Sequence, residues 1–349
     1  MNKNTLIYIA GHTGLVGSAI VRLLQEQGYD NLLLRTHCEL DLTDPQKTLE
    51  FFERYKPNYV FLAAAKVGGI IANAKYQADF IYQNLAIAMN VIDAAYRCRV
   101  KKLLNLGSAC IYPKNATQPI SESQLLTSTL EPTNEGYAIA KIAAVKMCRY
   151  FNEQYGTNFM SAMPTNLYGI HDNFDLHSSH VLPALIKKFH LAKQANDPKV
   201  IVLGSGKPRR EFLYADDCAR ACIKLMEEKQ AQEIGEIVNI GYGSDISIKE
   251  LAHMIADIIG YTGDIIWDTT KPDGAFRRLL DGRKLQSLID WQPSVSLPKG
   301  IRRTYQWYCT QANKEQKKKC IKGSIHENLH LSGLADSRLA ADFLEISEV

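Results

Sequence analysis

The chain has 349 residues, 46% of them hydrophobic and 22% charged, with a formal net charge of +4, an ordinary globular composition with room for a large core and a second, smaller lobe. The charge is spread along the chain, so no nucleic-acid or membrane-surface footprint stands out, and the basic run KEQKKK near residue 317 reads as a solvated tail. No stretch approaches the apolar length of a membrane span, the amino terminus runs straight into a strand, and the eight cysteines show no C-x-x-C or metal-like spacing. The expectations are a cytoplasmic protein with reduced thiols, no metal, no nucleic-acid partner and no membrane.

In the first half, short apolar runs alternate with helical patterns: TLIYIA with SAIVRLLQEQG, NLLLR with TDPQKTLEFFERY, YVFLAAA with DFIYQNLAIAMNVIDAAYRCRV, and KLLNLG with a helix starting near GYAIAKIAAVKM. That rhythm predicts an α/β protein with a doubly wound parallel sheet of the Rossmann kind. The second half loses it: YGIHDNFDLHSSH is loop-like, a helix is predicted from about Val181 to Lys193, a strand at VIVLG, and mixed elements to 281. Residues 1–168 are expected to form the dinucleotide-binding domain, with 212–241 returning to it. Residues 169–211 and 242–308 would form a smaller α/β substrate-binding lobe on the carboxyl side, and 309–349 a polar, disordered tail holding one short helix, SRLAADFLEI.

Gly11, Gly14 and Gly17 follow the first strand and open the first helix, the context in which glycines let a pyrophosphate approach backbone N–H groups at a helix N-terminus. The plainer reading is a strand-to-helix turn that needs small residues; the alternating units behind it favour dinucleotide binding. The second strand ends Leu34-Arg35-Thr36-His37 rather than in the acid that holds a ribose 2′-hydroxyl, which favours a 2′-phosphate and hence NADP(H), with Glu39 the alternative acid. Leu62 and the alanines after it suit close cofactor approach or tight helix packing.

Tyr137 and Lys141 share one face of a helix; among 17 tyrosines only Tyr137 has lysine at the fourth following position. The ammonium is expected to lower the phenol pKa and make it a usable acid or base, against the plainer reading of a snorkelling lysine on an amphipathic helix. Ser108 and Cys110 lie two apart just past a core strand and could reach one ligand together. Ser108 would hydrogen-bond a carbonyl or alcohol beside Tyr137, the oxygen end of hydride transfer, while Cys110 has no role there but suits removal of a carbon-bound proton beside a ketone. Racemising such a carbon also needs an acid on its other face; the physics leaves His171, His177 and His180 open.

The chain resembles the GDP-L-fucose synthases, a branch of the extended short-chain dehydrogenase/reductases, over about residues 5–308. The motifs are AAAKVGGI at 63–70, DFIYQN at 79–84, CIYPK at 110–114, EPTNEGYAIAK at 131–141, MPTNLYG at 163–169, SHVLPAL at 179–185, REFLYADD at 210–217 and KPDG at 271–274. The resemblance implies epimerisation at carbons 3 and 5 of GDP-4-keto-6-deoxy-D-mannose and NADPH-dependent reduction of its 4-keto group. Cys110 would be the base, His180 the acid, and Ser108, Tyr137 and Lys141 the reductase triad. The implied cofactor contacts are Gly11, His12, Thr13, Gly14, Leu15, Val16, Gly17, Arg35, His37, Asp41, Leu42, Leu62, Ala63, Leu106, Gly107, Ser108, Ala109, Tyr137, Lys141, Pro164, Thr165, Asn166, Leu167 and His180. The implied nucleotide-sugar contacts are Lys188, Leu203, Arg210 and Asp281. A homodimer through the long helices is implied as well. The chain departs from the pattern at Ala109, Gly136, Lys188 and Leu203, where members carry serine, proline, arginine and tryptophan. At Thr13 and His37 some bacterial members carry arginines. The competing readings are a reductase acting on a related GDP-sugar without epimerisation, and a non-catalytic dinucleotide-binding sensor, which would not need Ser108, Cys110, Tyr137 and Lys141 together.

Overall fold

The computed structural model describes residues 1–271 and 273–313. In chain order the first half runs β1 (Ile7–Ala10), α1 (Leu15–Glu26), β2 (Leu32–Leu33), α2 (Pro45–Tyr55), β3 (Tyr59–Leu62), α3 (Ile70–Lys75), α4 (Gln77–Arg97), β4 (Lys102–Leu106), α5 (Glu135–Tyr155) and β5 (Phe159–Pro164). The second half runs β6 (Asn166–Tyr168), α6 (Val181–Ala195), β7 (Lys199–Leu203), β8 (Arg209–Tyr214), α7 (Ala215–Glu228), α8 (Ala231–Ile234), β9 (Val238–Ile240), β10 (Asp245–Ser247), α9 (Ile248–Ile259), β11 (Asp264–Asp268), β12 (Arg277–Arg278) and α10 (Arg283–Leu288).

The large sheet has the order β2-β1-β3-β4-β5-β9, and every pairing in it is parallel. Strands covered on both faces read as continuous apolar runs, which is why β1, β4 and β5 are buried at every position. On one face α1 and α7 pack through Ile20, Leu24, Cys218 and Cys222, so these two cysteines are core residues. On the other face α2, α4 and α5 pack through Phe52, Val91, Ile92 and Cys148. The described cysteines are all free thiols. The strand order reverses between β1 and β3, and a ligand in such a sheet binds outside the carboxyl ends at that reversal.

Two smaller sheets follow. In one, β8 lies between β10 and β12 and also pairs with β6; in the other, β7 pairs with β11. The helix predicted over Val181–Lys193 extends to Ala195, where Asn196 takes a left-handed conformation (φ 54°) and ends it. Residues 297–303 are helical. Residues 304–313 form part of a separate unit and are helical too, so the segment 309–313 is ordered helix where an irregular tail is expected from composition. The short helix predicted at SRLAADFLEI lies outside the described residues. Among the described residues no helix is long and apolar enough to cross a membrane, and no cluster of His, Cys, Asp or Glu is arranged to hold a metal.

Candidate active site

Two elements converge where β4 ends. Past Leu106 the chain bends into a single 3-10 turn, Ala109–Ile111, capped by Ser108: the backbone N–H of Cys110 donates to Ser108 Oγ at 3.4 Å. Gly107 lies against the end of β5, donating its N–H to Ala162 O at 2.9 Å, and a Cβ there would strike the Met163 side chain. The second element is α5. Its Lys141, only 7% exposed, donates from Nζ to Leu106 O at 2.8 Å, which fixes the helix against the strand end and brings Tyr137, one turn earlier, over Ser108. The Ser108 hydroxyl lies close enough to both side chains to act on the Cys110 thiol and the Tyr137 phenol alike, favouring the ionised form of each. Gly136 fits the same arrangement: its N–H donates to Gln77 Oε1 at 3.3 Å, and a Cβ would meet Gln77 O at 2.9 Å. A proline there would lose the donor and meet that carbonyl.

The expectation that Lys141 lowers the Tyr137 pKa is corrected by this geometry. The phenol lies well above its ordinary value because it is stripped of water, with a further push from Cys110 and an opposing hydrogen bond from Ser108. The Lys141 Nζ is 5.8 Å from the Tyr137 ring centroid, and one of its three N–H groups is given to Leu106 O. Burial instead acts on the lysine, pushing it down to about 8. Burial also raises the Cys110 thiol, opposed first by the Ser108 hydrogen bond and then by the charges of Lys141 and Arg278. Arg278 is absent from the sequence-derived site, since a lone arginine on a two-residue strand carries no periodic or motif signal.

His180 caps the start of α6. The loop before it is bound to the AAAKVGGI segment, Gly69 N–H donating to Ser178 O at 2.7 Å, and a Cβ at Gly69 would collide with Ser179 O. The imidazole reaches solvent, yet enough protein surrounds it to hold its pKa below the ordinary histidine value. It makes no hydrogen bond to the Ser108 cluster among the described residues. His171 and His177 lie in the same loop, His177 donating its backbone N–H to Asp175.

The glycine-rich turn fits a dinucleotide. Gly11 has φ +81°, and a Cβ on it would meet Ala64 N at 2.8 Å; a Cβ on Gly17 would collide with Gly11 O. The first turn of α1 has no side-chain cap and no acidic residue, so the N–H groups that an anion would bind at Leu15, Val16 and Gly17 face no competing carboxylate of their own helix. His12 Nδ1 is buried without a partner, and Thr13 is exposed. At the end of β2, Arg35 is braced by Leu34 O at 2.7 Å and Tyr55 Oη at 3.1 Å. The alternative acid, Glu39, is occupied: it accepts the N–H and hydroxyl of Thr36 at 2.7 and 2.8 Å. Asp41 likewise accepts from Thr43, at 2.9 and 2.7 Å, and stands 3.8 Å from the exposed His37. Leu42, Leu62 and Leu106 are core residues, and Ala63, with its N–H bonded to Ala10 O at 3.0 Å, closes the wall beside β1. From the end of β5, Pro164 and Thr165 lead into Asn166 and Leu167 of β6, where Thr165 N–H pairs with Ile240 O at 3.0 Å.

The four nucleotide-sugar positions sit differently from one another. Lys188 donates to Ile201 O at 3.1 Å, and Leu203 is 48% exposed on β7. Arg210 on β8 stands in register with Arg278 on β12 and is pushed down to about 10 by burial, then by Arg278. The Asp281 carboxylate is held by Arg283, with Nε at 2.9 and 3.0 Å. Between Arg210 and Asp281 lies Glu211, fully buried, a residue the sequence analysis places in a motif but gives no role. Its carboxylate accepts the N–H groups of Tyr242, Gly243 and Leu280 at 2.6, 2.7 and 3.0 Å. It thereby ties the loops after β9 and β12 to β8. A separate pocket beside Arg209 and Asp245 is lined by charges already paired to each other, at 2.7 Å.

Residues 7–241 match the model of the NAD dependent epimerase/dehydratase family. The chain belongs to that family. It is 56% identical over 307 residues to GDP-L-fucose synthase 1 of Arabidopsis thaliana, covering 88% of this chain and 94% of the relative. Among solved structures, a GDP-6-OMe-4-keto-L-xylo-heptose reductase from C. jejuni is 40% identical with a TM-score of 0.85, covering 89% of this chain and 99% of that one. A GDP-L-fucose synthetase from Naegleria fowleri bound to NADP is 29% identical with a TM-score of 0.82, covering 90% and 96%.

Proposed function

We propose that this chain converts GDP-4-keto-6-deoxy-D-mannose to GDP-L-fucose, inverting carbons 3 and 5 and then reducing the 4-keto group with NADPH. The observation that carries the reading is that Lys141, bonded to Leu106 O, and Ser108, bonded to the Cys110 N–H, gather Tyr137 and Cys110 at one strand end, in a chain 56% identical to a GDP-L-fucose synthase of Arabidopsis. A protein that only bound the dinucleotide would need neither contact.

A ketone oxygen hydrogen-bonded by Ser108 and Tyr137 acidifies the carbons on either side, and Cys110 removes the proton from each in turn as a thiolate. His180, held below its ordinary pKa by burial, gives its proton to the opposite face, and between the two inversions the thiol loses its proton to water while the imidazole regains one from it. Tyr137, whose raised pKa keeps it protonated, donates its proton to the carbonyl oxygen as that carbon is reduced. The N–H groups of the glycine turn would hold the pyrophosphate of NADPH and Arg35 its 2′-phosphate, and the bound nicotinamide would be the source of the hydride. Lys188, Leu203, Arg210 and Asp281 hold the GDP portion, so residues 169–211 and 242–308 act as the substrate lobe on the domain made by 1–168 and 212–241.

Reduction without epimerisation is a second reading, favoured by the likeness to the C. jejuni reductase. Incubation with NADPH and GDP-4-keto-6-deoxy-D-mannose in deuterated water separates them. GDP-L-fucose deuterated at carbons 3 and 5 in the parent, with uptake sharply slowed in Cys110→Ser, is the expected result. A reduced sugar of the starting configuration without deuterium would select the second reading.

A cytoplasmic homodimer completes the proposal. Tyr82 and Met89 are 71% and 51% exposed on one face of α4, and Ile139 and Tyr150 are 41% and 53% exposed on α5, an unpartnered apolar surface of the kind that pairs helix to helix. Light scattering should give twice the chain mass at micromolar concentration; the chain mass itself would rule the dimer out.

A further inference from the structure

We infer that Arg278 is a positioning residue for Cys110: its guanidinium grips the turn that carries the thiol and places a positive charge beside the sulfur that must become a thiolate. The inference rests on the proposed role of Cys110 as carbon base.

The geometry comes from β12. Arg278 Nη1 donates to the carbonyl of Ala109 at 3.4 Å and to that of Tyr112 at 3.3 Å, so its two acceptors bracket Cys110 in the chain. One end of the turn is already held by Ser108 and the other by the core side chains of Ile111 and Tyr112, both fully buried. Long donor bonds to the carbonyls at the two ends of the turn add a clamp from a different sheet. Burial lowers the Arg278 pKa, and against it Cys110 is the leading group that favours the charged guanidinium, followed by Glu131.

The neighbouring charges explain why this arginine is available. On β8, Arg210 stands in register with it and repels it, which favours any anion between the turn and the two strands. Across the site, Lys141 and Tyr137 of α5 face the same thiol. Lys141 is tied to Leu106 and loses its proton near pH 8, whereas the Arg278 guanidinium, though burial lowers its pKa, starts from a far higher ordinary value and keeps its charge through that range. Arg278 is therefore the cation that still supports the thiolate in the pH range where the thiol ionises. In the substrate complex the same charge lies beside the thiolate before proton removal and weakens its hold once the sulfur is neutral. It lowers the cost of preparing the base and takes no part in hydride delivery.

The test reads the thiol directly. Alkylation of Cys110 by iodoacetamide is followed by peptide mass spectrometry from pH 6 to 10.5 in the parent, Arg278→Gln and Arg278→Lys. Loss of the charge should move the ionisation midpoint of Cys110 up by about one unit, making alkylation roughly tenfold slower below the midpoint. Arg278→Lys, which keeps a charge on a shorter side chain, should recover at least half of the shift. An unchanged profile in folded Arg278→Gln overturns the inference, as does a lysine variant shifted as far as the glutamine one. Alkylation needs no substrate, so a shifted profile supports the role of Arg278 even if the parent took up no deuterium into substrate, an outcome that counts against the proposed reaction alone.

Discussion

Lys141 Nζ donates to the backbone carbonyl of Leu106 at 2.8 Å, and this bond joins the helix that carries Tyr137 to the strand that ends in Ser108 and Cys110. It also buries the ammonium, whose pKa falls to about 8.

The first expectation is an alkaline limb near pH 8 in kcat/KM for ketone reduction, which reports the free protein. Below that pH the ammonium is present; as pH rises through 8 it is lost while Tyr137, shifted upward, stays protonated. Lys141→Arg holds its charge and should move the limb above pH 10 at reduced rate. A limb that stays near 8 in that variant would assign it to another group.

Tyr137→Phe should abolish reduction while leaving deuterium exchange beside the ketone within about tenfold of the parent, because Ser108 still hydrogen-bonds the oxygen. Rapid-quench analysis with mass spectrometry of recovered substrate checks both. Loss of exchange in the folded variant would end this division of labour.

Glu211 is fully buried and accepts three backbone N–H groups. Glu211→Gln turns one acceptor into a donor facing one of them and should cost about 1–3 kcal/mol in urea unfolding. The loops carrying Tyr242 and Asp281 should loosen with it, raising KM more than kcat falls. Parent-like stability would mean that those N–H groups find other acceptors.

Asp172 gives a pH-dependent stability effect. Its Oδ1 accepts the Asn173 N–H at 2.8 Å, but Oδ2 is buried without a partner, and burial raises the carboxyl to about 7. The folded state binds this proton more tightly than the unfolded chain does. Stability is thus greatest below the unfolded value near 4 and is lost as pH rises from there to 7. Asp172→Asn removes the charge, so its stability gain over the parent should be about 1–3 kcal/mol larger at pH 8 than at pH 5. Urea titrations at the two pH values check this, and equal gains would mean that the carboxyl is hydrated in the folded state.

The sequence by itself determined the doubly wound sheet, the glycine turn and the Tyr137–Lys141 pair, because each depends on local period or spacing: buried strands are continuous apolar runs, and two side chains four apart on a helix share a face. It also placed Ser108 and Cys110 past a core strand, since the length of LLNL limits where that strand ends. Only the tertiary structure decided what those groups experience. Hydration lost in the assembled site raises Tyr137 where spacing to Lys141 suggested the opposite, and Thr36 takes up the Glu39 carboxylate that spacing left available for a ribose. Arg278 reaches the Cys110 turn from a strand far along the chain, and Glu211 ties three separate segments together. Contacts between residues so distant in sequence leave no periodic trace, because they arise when sheets and loops pack, and that packing sets both the partner and the dielectric surroundings of each charge.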